Sequence, residues 1–270
     1  MTINKDTKCC ISIAERPGNF GSTIFNAGFE ALSLDFFYKP FKVTEDGLAG
    51  AIEGIRSLGI RGCGVSMPHK VKAIKLLDKI DPVAQKIGAI NTIVNDDGVL
   101  SGYNTDFEGA KRALGESYNV AKKKVLIIGA GGVSRAVILA LKENGAGKIY
   151  LTNRSEEKGK SLAKEFDINY LDYAERNDFK GGLFVNATSV GMKPQDKDMI
   201  IDEDSIVGYD AVMDVVVYPF KTALIKEAER QGKVAIPGFK MSLYQAAAQF
   251  KLYTGKNASL EIMAESIKKF

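Results

Sequence analysis

Apolar residues along the chain gather into short runs, and most of the 27 glycines stand at the ends of those runs, where they punctuate alternating strands and helices. In the first hundred residues the pattern predicts strands near Cys9 to Ile13, Asp35 to Phe41 and Arg61 to Ser66. Helical periodicity runs over Thr23 to Leu32, Glu45 to Leu58 and Val71 to Leu77. Ile90 to Val94 and Val99 to Tyr103 flank Asn95-Asp96-Asp97-Gly98, whose Asp-Gly pair favours the positive backbone angles of a tight hairpin turn.

The rhythm changes at Lys124. An apolar strand (VLIIGA), a glycine cluster, a helix over Ser134 to Asn144, a strand over Lys148 to Asn153 and a helix over Glu156 to Phe166 make a βαβ unit. Strands at Leu183 to Asn186, Ala211 to Val216 and Lys233 to Ile236, with a helix at Lys221 to Gln231, continue a parallel sheet. Two amphipathic segments, Met241 to Tyr253 and Ser259 to Lys269, close the chain with no strand after them, so they are expected to pack back on the first sheet. The reading is α/β in two domains: an α/β substrate domain of residues 1–106 plus 239–270, and a Rossmann-type, doubly wound parallel-sheet domain of residues 107–238. The active site is expected in the cleft between them, a preferred location for ligands.

Composition removes several classes of function. Lys plus Arg is 37 against 33 for Asp plus Glu, a net charge of +4 spread along 270 residues with one short basic run, Lys122 to Lys124, so nucleic-acid binding is not expected. The longest apolar stretch, Val125 to Val133, is broken by three glycines and is far short of the roughly 18 residues that cross a bilayer. The N-terminus lacks a secretion signal, which makes the cytoplasm the expected compartment. Cys9, Cys10 and Cys63 read as buried thiols, and a single histidine, His69, with no cysteine pair at ligand spacing argues against zinc.

Candidate chemistry begins at Gly129-Ala130-Gly131-Gly132-Val133, between a strand and a helix. Glycine lets the backbone turn sharply and approach a pyrophosphate, whose charge then sits at the positive end of the helix. The third glycine follows the second directly, a departure from the usual dinucleotide fingerprint, and a purely structural turn is the alternative. At the end of the next strand stands Asn153-Arg154-Ser155, with Lys158 one turn on. Two cations and no acid there favour NADP over NAD, since Arg154 can pair with a 2′-phosphate while Asn153 and Ser155 supply neutral hydrogen bonds. Solvated surface cations are the plainer alternative.

In the first domain three polar clusters stand at strand ends: Ser66-Met67-Pro68-His69-Lys70, Asn91-Thr92 and Asn104-Thr105-Asp106. Lys70 follows a proline loop and opens an expected helix, where the dipole disfavours a cation and suits a lysine used in proton transfer. Asp106 is its candidate partner. Lys70 as a surface residue and Asp106 as a helix N-cap remain open on spacing alone, and His69 reads as a loop residue.

Taken in order, these pieces resemble the shikimate dehydrogenase family over nearly the whole chain. The matching motifs are Val65-Ser66-Met67-Pro68-His69-Lys70, Gly88-Ala89-Ile90-Asn91-Thr92, Gly102-Tyr103-Asn104-Thr105-Asp106, Gly129-Ala130-Gly131-Gly132, Asn153-Arg154-Ser155, Asn186-Ala187-Thr188-Ser189-Val190-Gly191-Met192 and Gln245-Ala246-Ala247. The resemblance implies a two-domain NADP enzyme that interconverts shikimate and 3-dehydroshikimate, a step toward chorismate and the aromatic amino acids. By that resemblance Lys70 and Asp106 look like the catalytic pair, Asn91 and Gln245 like ligands of substrate hydroxyls, and Ser66 like the hydroxyl beside the lysine. Thr188, Ser189, Val190, Met192, Val215 and Gly238 look like the wall around the cofactor.

Three departures point to a divergent, shikimate dehydrogenase-like branch. The family's Ser-x-Ser-Pro, which holds the substrate carboxylate, falls on Asn19-Phe20-Gly21-Ser22, leaving Asn19 to donate an amide N–H and Ser22 or Thr23 a displaced hydroxyl. Gly64 stands for the usual asparagine, and Val217 for a common substrate-facing tyrosine. Each unpaired buried polar group costs roughly 1 to 3 kcal/mol, so losing two or three ligands weakens shikimate by orders of magnitude. The expected partner is therefore a small cyclic hydroxy acid, shikimate or a close analogue, on a monomer or homodimer. A dehydrogenase of quinate, aminoshikimate or another polyol acid is the first rival, and an NADP-binding sensor without turnover is the second.

Overall fold

The computed structural model describes residues 3–194 and 196–267. Its chain divides into two compact units, residues 1–105 with 243–270 and residues 106–242. Along the chain come β1 (Lys8–Ala14), α1 (Phe20–Ala31), β2 (Phe36–Lys42), α2 (Leu48–Ser57), β3 (Gly62–Val65), β4 (Lys79–Ile80), α3 (Pro82–Ile87), β5 (Thr92–Asp96) and β6 (Val99–Tyr103). Then follow α4 (Thr105–Ser117), β7 (Val125–Ile128), α5 (Gly132–Glu143), β8 (Ile149–Thr152), α6 (Glu156–Glu165), β9 (Asn169–Tyr170), β10 (Leu183–Asn186), β11 (Ala211–Asp214), α7 (Ala223–Arg230) and β12 (Val234–Ile236). The last elements are α8 (Gly238–Thr254) and α9 (Leu260–Ile267).

The first unit holds a six-stranded sheet in the order β2-β1-β3-β5-β6-β4. Strands β1, β2 and β3 are parallel, whereas β5 runs antiparallel to β3 and to β6. The β5–β6 turn has positive φ at Asp97 (51°) and Gly98 (89°), the pair of left-handed residues that the Asp-Gly dipeptide predicts. One face of this sheet buries Ile11, Ile13, Cys63, Val65 and Ile93 against Leu48, Ile52 and Ile55 of α2. On α1, Phe25 stacks on Tyr38 at 4.6 Å and Phe29 lies 5.2 Å from Phe250 of α8. Met263 of α9 approaches Gly28, so both closing helices pack back on the first unit, as their amphipathic pattern requires.

The second sheet is wholly parallel, in the order β12-β11-β10-β7-β8-β9. The order reverses between β7 and β10, the topological switch point of a doubly wound sheet, where nucleotides bind beyond the carboxyl ends of the strands. The strands β7, β10 and β11 are buried along their whole length, which is why they read as continuous apolar runs rather than alternating ones.

The structure differs from the pattern-based reading in a few places. Residues 239–242, expected with the substrate domain, cluster with the second unit, because α8 starts at Gly238 close against the Val215–Val216 backbone. The stretch after Lys70 is a five-residue 3-10 turn, Lys72–Leu76, and not an α-helix, since Leu77 turns extended to lead into β4. Helix α3 has no counterpart in the pattern, and α4, whose buried Phe107, Ala110, Ala113 and Leu114 keep helical spacing, is anticipated only as a helix with Asp106 at its N-cap. Among the described residues no helix is long and apolar enough to cross a membrane, and no three ligating side chains converge on a metal position.

Candidate active site

Within the first unit, two of the five sequence-expected substrate ligands, Asn91 before β5 and Gln245 on α8, join one hydrogen-bonded cluster through Thr105, which follows β6. Asn91, 3% exposed, accepts at Oδ1 from the Thr105 backbone N–H (2.8 Å), the Thr92 hydroxyl (2.8 Å) and the Thr105 hydroxyl (3.1 Å). A backbone donor settles which amide atom is oxygen. Oδ1 thus acts as the acceptor at the centre of this cluster. Gln245 on α8 donates from Nε2 to the Thr105 hydroxyl at 3.1 Å, and Gln249, one turn on, donates to Thr92 Oγ1 at 2.8 Å and to the Asn91 carbonyl at 3.0 Å. Thr105 and Gln249 were not among the expected site residues. The i, i+4 spacing of the two glutamines on one helix face was the available signal for Gln249.

Ser66 ends β3, its backbone N–H donating to the Ile13 carbonyl at 2.9 Å. The turn after it is pinned by His69. This residue is fully buried, and its Nε2 lies 2.9 Å from the Val43 carbonyl, so Nε2 is the protonated ring nitrogen. His69 is therefore more than a loop residue: it anchors the turn that presents Lys70, whose own carbonyl accepts from the Ile90 N–H at 2.9 Å. A single 3-10 turn carries little dipole, so the expected dipole effect on Lys70 lapses.

Asn19 is exposed and makes no side-chain cap to α1. Ser22 and Thr23 donate their hydroxyls to the Asn19 carbonyl at 2.9 and 3.1 Å, so toward a ligand these oxygens are left as acceptors. Gly21 and Gly64, two of the departures, both border Tyr38: a Cβ on Gly64 would stand 2.9 Å from the Tyr38 hydroxyl, and one on Gly21 would stand 3.3 Å from it.

In the second unit, Asp106 lies in the first turn of α4, 7% exposed, where a helix dipole favours a negative side chain. It is the second residue of the helix and not its cap. Gly129 ends β7 with φ 122°, and a Cβ there would stand 2.7 Å from the Ala187 carbonyl oxygen. Gly131 differs. It has ordinary extended angles, and a Cβ on it would meet nothing within 4 Å, so the space above the first turn of α5 is open. The Gly131 N–H donates to Ser134 Oγ at 3.2 Å, while the following N–H groups of the first turn have no intrahelical acceptor. Ala130, Gly132 and Val133 complete this turn. An open cradle before a 12-residue helix fits the pyrophosphate of a dinucleotide.

Thr152 ends β8, and beyond it Asn153 donates to the Ser155 carbonyl at 2.9 Å, while Arg154, Ser155 and Lys158 are exposed. Two cations without an adjacent buried acid fit a phosphate on the adenosine ribose. The segment after β10 is held by Asn186, whose Oδ1 accepts from the Thr188 N–H (3.0 Å) and hydroxyl (2.6 Å). Ser189, Val190 and Met192 follow in the same turn, and Val215 and Gly238 lie just beyond the ends of β11 and β12.

Family models match three consecutive parts of the chain: shikimate dehydrogenase substrate binding domain over residues 20–93, shikimate / quinate 5-dehydrogenase over 108–185, and shikimate 5'-dehydrogenase C-terminal domain over 238–268. A shikimate dehydrogenase-like protein of Haemophilus influenzae is 40% identical over 267 residues, 98% of this chain and 97% of that one. This chain belongs to the shikimate dehydrogenase family. A shikimate dehydrogenase (NADP(+)) of Methanothermobacter thermautotrophicus is 37% identical over 90% of this chain and 89% of its own. A shikimate dehydrogenase solved in complex with NADP+ superposes with a TM-score of 0.92 at 35% identity, covering 99% of this chain and 97% of that chain. Both the α/β architecture and the dehydrogenase class expected from the motifs are thereby established, and the likeness to a "-like" protein agrees with the rebuilt carboxylate segment at Asn19 to Ser22.

Proposed function

We propose that this enzyme interconverts shikimate, or a closely related cyclic hydroxy acid, and its 3-dehydro ketone, with Lys70 and Asp106 exchanging the hydroxyl proton. Its cofactor is NADP, supported by the relatives named for it, by the open Gly131 cradle and by the cations at Arg154 and Lys158. When bound, NADP supplies the hydride acceptor in oxidation and the hydride donor in reduction.

The chain's own residues do the rest. The turn Gly129 to Val133 would hold the pyrophosphate through the N–H groups that open α5, the Gly129 N–H being taken by the Thr152 carbonyl, and Arg154 and Lys158 would hold the 2′-phosphate, with Asn153 and Ser155 beside them. Thr188, Ser189, Val190, Met192, Val215 and Gly238 line the nicotinamide side. Asn91 and Gln245 donate to substrate hydroxyls, Ser66 contacts the substrate beside Lys70, and Asn19 takes over the carboxylate end through its amide N–H, joined by Ser22 once its hydroxyl turns from the Asn19 carbonyl. In oxidation the proton leaves the substrate hydroxyl for Lys70 Nζ, with the Asp106 carboxylate as partner, and in reduction it returns.

The observation that carries this reading is the buried cluster that joins Asn91 and Gln245 through the Thr105 hydroxyl. The test is a panel of shikimate, quinate and aminoshikimate with NADP+, followed by absorbance of the reduced cofactor, on wild type, Lys70→Ala and Asp106→Asn. General acid–base groups contribute roughly 10²- to 10⁴-fold, so each variant should lose that much kcat with shikimate while binding NADPH normally. Full turnover in either variant removes the pair. Tight NADPH binding with no turnover of any panel member by wild type points instead to the sensor.

A further inference from the structure

Among the described residues the buried carboxylates are Asp106 and Asp214, and the mechanism above leaves the second without a task. Asp214, fully buried at the end of β11, accepts three hydrogen bonds: from Asn186 Nδ2 (3.0 Å) and the Val216 backbone N–H (3.0 Å) at Oδ1, and from the Thr222 hydroxyl (2.7 Å) at Oδ2. Asn186 leads into the segment that meets the glycine turn, and Thr222 lies against Gly191 of that same segment. Asn186 also donates to the Val190 carbonyl at 3.0 Å and orders Thr188, whose hydroxyl in turn accepts from the Val190 N–H at 3.1 Å. The Ala187 carbonyl and Thr188 methyl are the atoms that crowd Gly129. The Val216 N–H ties down the 215–216 turn on which Gly238 rests, and Thr222 caps α7 by accepting from the Ile225 N–H at 3.3 Å.

We propose that Asp214 is a positioning residue for nucleotide binding: its ionised carboxylate clamps the 187–192 and 215–222 segments in the arrangement that receives the cofactor, and protonation weakens that hold. The proposal rests on the reading that these segments and the glycine turn hold NADP.

All three partners present hydrogens to the carboxylate, so they match its ionised, acceptor-only form. A protonated carboxyl keeps Oδ1 as the acceptor of Asn186 and Val216 and holds Thr222 only after that hydroxyl rotates to accept, so protonation removes the charge that strengthens all three bonds and loosens the hold. Burial works the other way and is the larger effect, pushing the Asp214 carboxyl up to about 6. The groups that meet it, Asn186 of β10, the Val216 N–H and Thr222 ahead of α7, are all neutral, and no charged side chain contributes to the shift. Ionisation is thus poised just below neutral pH, and the clamp is closed above it.

The test compares wild type, Asp214→Asn, Thr222→Val and Thr222→Ser. NADPH fluorescence titrations run from pH 5.5 to 8, and amide exchange of Thr188, Val190 and Val216 is followed without nucleotide. An amide in place of the carboxylate imitates the protonated state, since it carries hydrogens and no charge. Asp214→Asn is expected to raise the NADPH Kd about tenfold at pH 7.5, with wild type converging on it at pH 5.5; subtracting the variant's profile removes the titration of the 2′-phosphate, which also lies near 6. At saturating cofactor, kcat should change less than twofold. Thr222→Val should show the same loss and Thr222→Ser should restore wild-type binding, a pair that decides the matter if Asp214→Asn does not fold. Unchanged Kd and pH profile in Asp214→Asn, or Thr222→Val equal to wild type, overturns the clamp. If wild type binds no NADPH, the functional reading fails instead, and amide exchange still decides: about tenfold faster exchange at the three amides in the variants supports the clamp, and unchanged exchange refutes it.

Discussion

Adding one methyl group at Gly129 and adding it at Gly131 should have opposite consequences, although the two residues are neighbours in one turn. At Gly129 the backbone has φ 122°, and the new Cβ would stand 2.7 Å from a carbonyl oxygen and 2.9 Å from its carbon. Holding a non-glycine residue in that region costs about 1–3 kcal/mol, and overpacking against backbone about as much again. At roughly 2–4 °C per kcal/mol for a chain of this size, Gly129→Ala should lower Tm by about 5–20 °C. At Gly131 φ is −94° and ψ −177°, open to any residue, and the methyl meets no protein atom. Only the loss of a favourable N-cap residue remains, within about 1 kcal/mol. Yet the methyl would stand where the backbone must approach a pyrophosphate. Losing one charge-assisted hydrogen bond at about 1.5–3 kcal/mol weakens NADPH roughly 10- to 100-fold. Thermal unfolding by circular dichroism and NADPH fluorescence titration on both variants test this. A Gly131→Ala protein that binds NADPH as wild type, or that melts as early as Gly129→Ala, refutes the assignment of the cradle.

Thr105→Val removes the hydroxyl that joins Gln245 to Asn91. With one buried partner unpaired at about 1–3 kcal/mol, the shikimate KM should rise roughly tenfold or more while the NADPH Kd stays unchanged; equal KM values would show that the network does not orient substrate. Asp214 also predicts a pH dependence of stability. Its folded carboxyl titrates at about 6, above an unfolded value of about 3.9, so the native state binds more protons between those values and stability from this group falls as pH rises through that window. Above about pH 6 the full cost of about 3 kcal/mol is present. Urea unfolding at pH 4 and pH 7 should therefore favour Asp214→Asn over wild type by about that much more at the higher pH, and a pH-independent difference would disprove the burial effect.

Some of this protein is written in local pattern and some is not. The hairpin is legible because Asp97-Gly98 is one of few pairs that tolerate two positive φ values, and the buried strands β7, β10 and β11 because a fully covered strand is a continuous apolar run. Helix α3 escapes the pattern although its signals are present: Asp81 accepts from the Val83 N–H at 2.9 Å, proline opens the helix and Gly88 closes it in the left-handed conformation. At six residues it is too short for periodicity to speak. Helix α4 is harder to read because small residues, Gly109, Ala110 and Ala113, make up much of its buried face.

The candidate lysine, the glycine turn and the two cations after β8 can be named from sequence because their chemistry is carried by contiguous residues: a turn, a helix start, a strand end. What joins residues far apart along the chain was decided only by the tertiary structure. The Asn91 side-chain oxygen and backbone carbonyl are taken up when Thr105 and Gln249 arrive from 14 and 158 positions away. His69 becomes an anchor when the Val43 carbonyl reaches its ring, and Asp214 gains its three donors when Asn186 and Thr222 surround it. The physical reason is the same in each case. A side chain's type sets what it can donate or accept, but burial and partners set which of those capacities is used and which remains for a ligand, and those are properties of packing between distant segments.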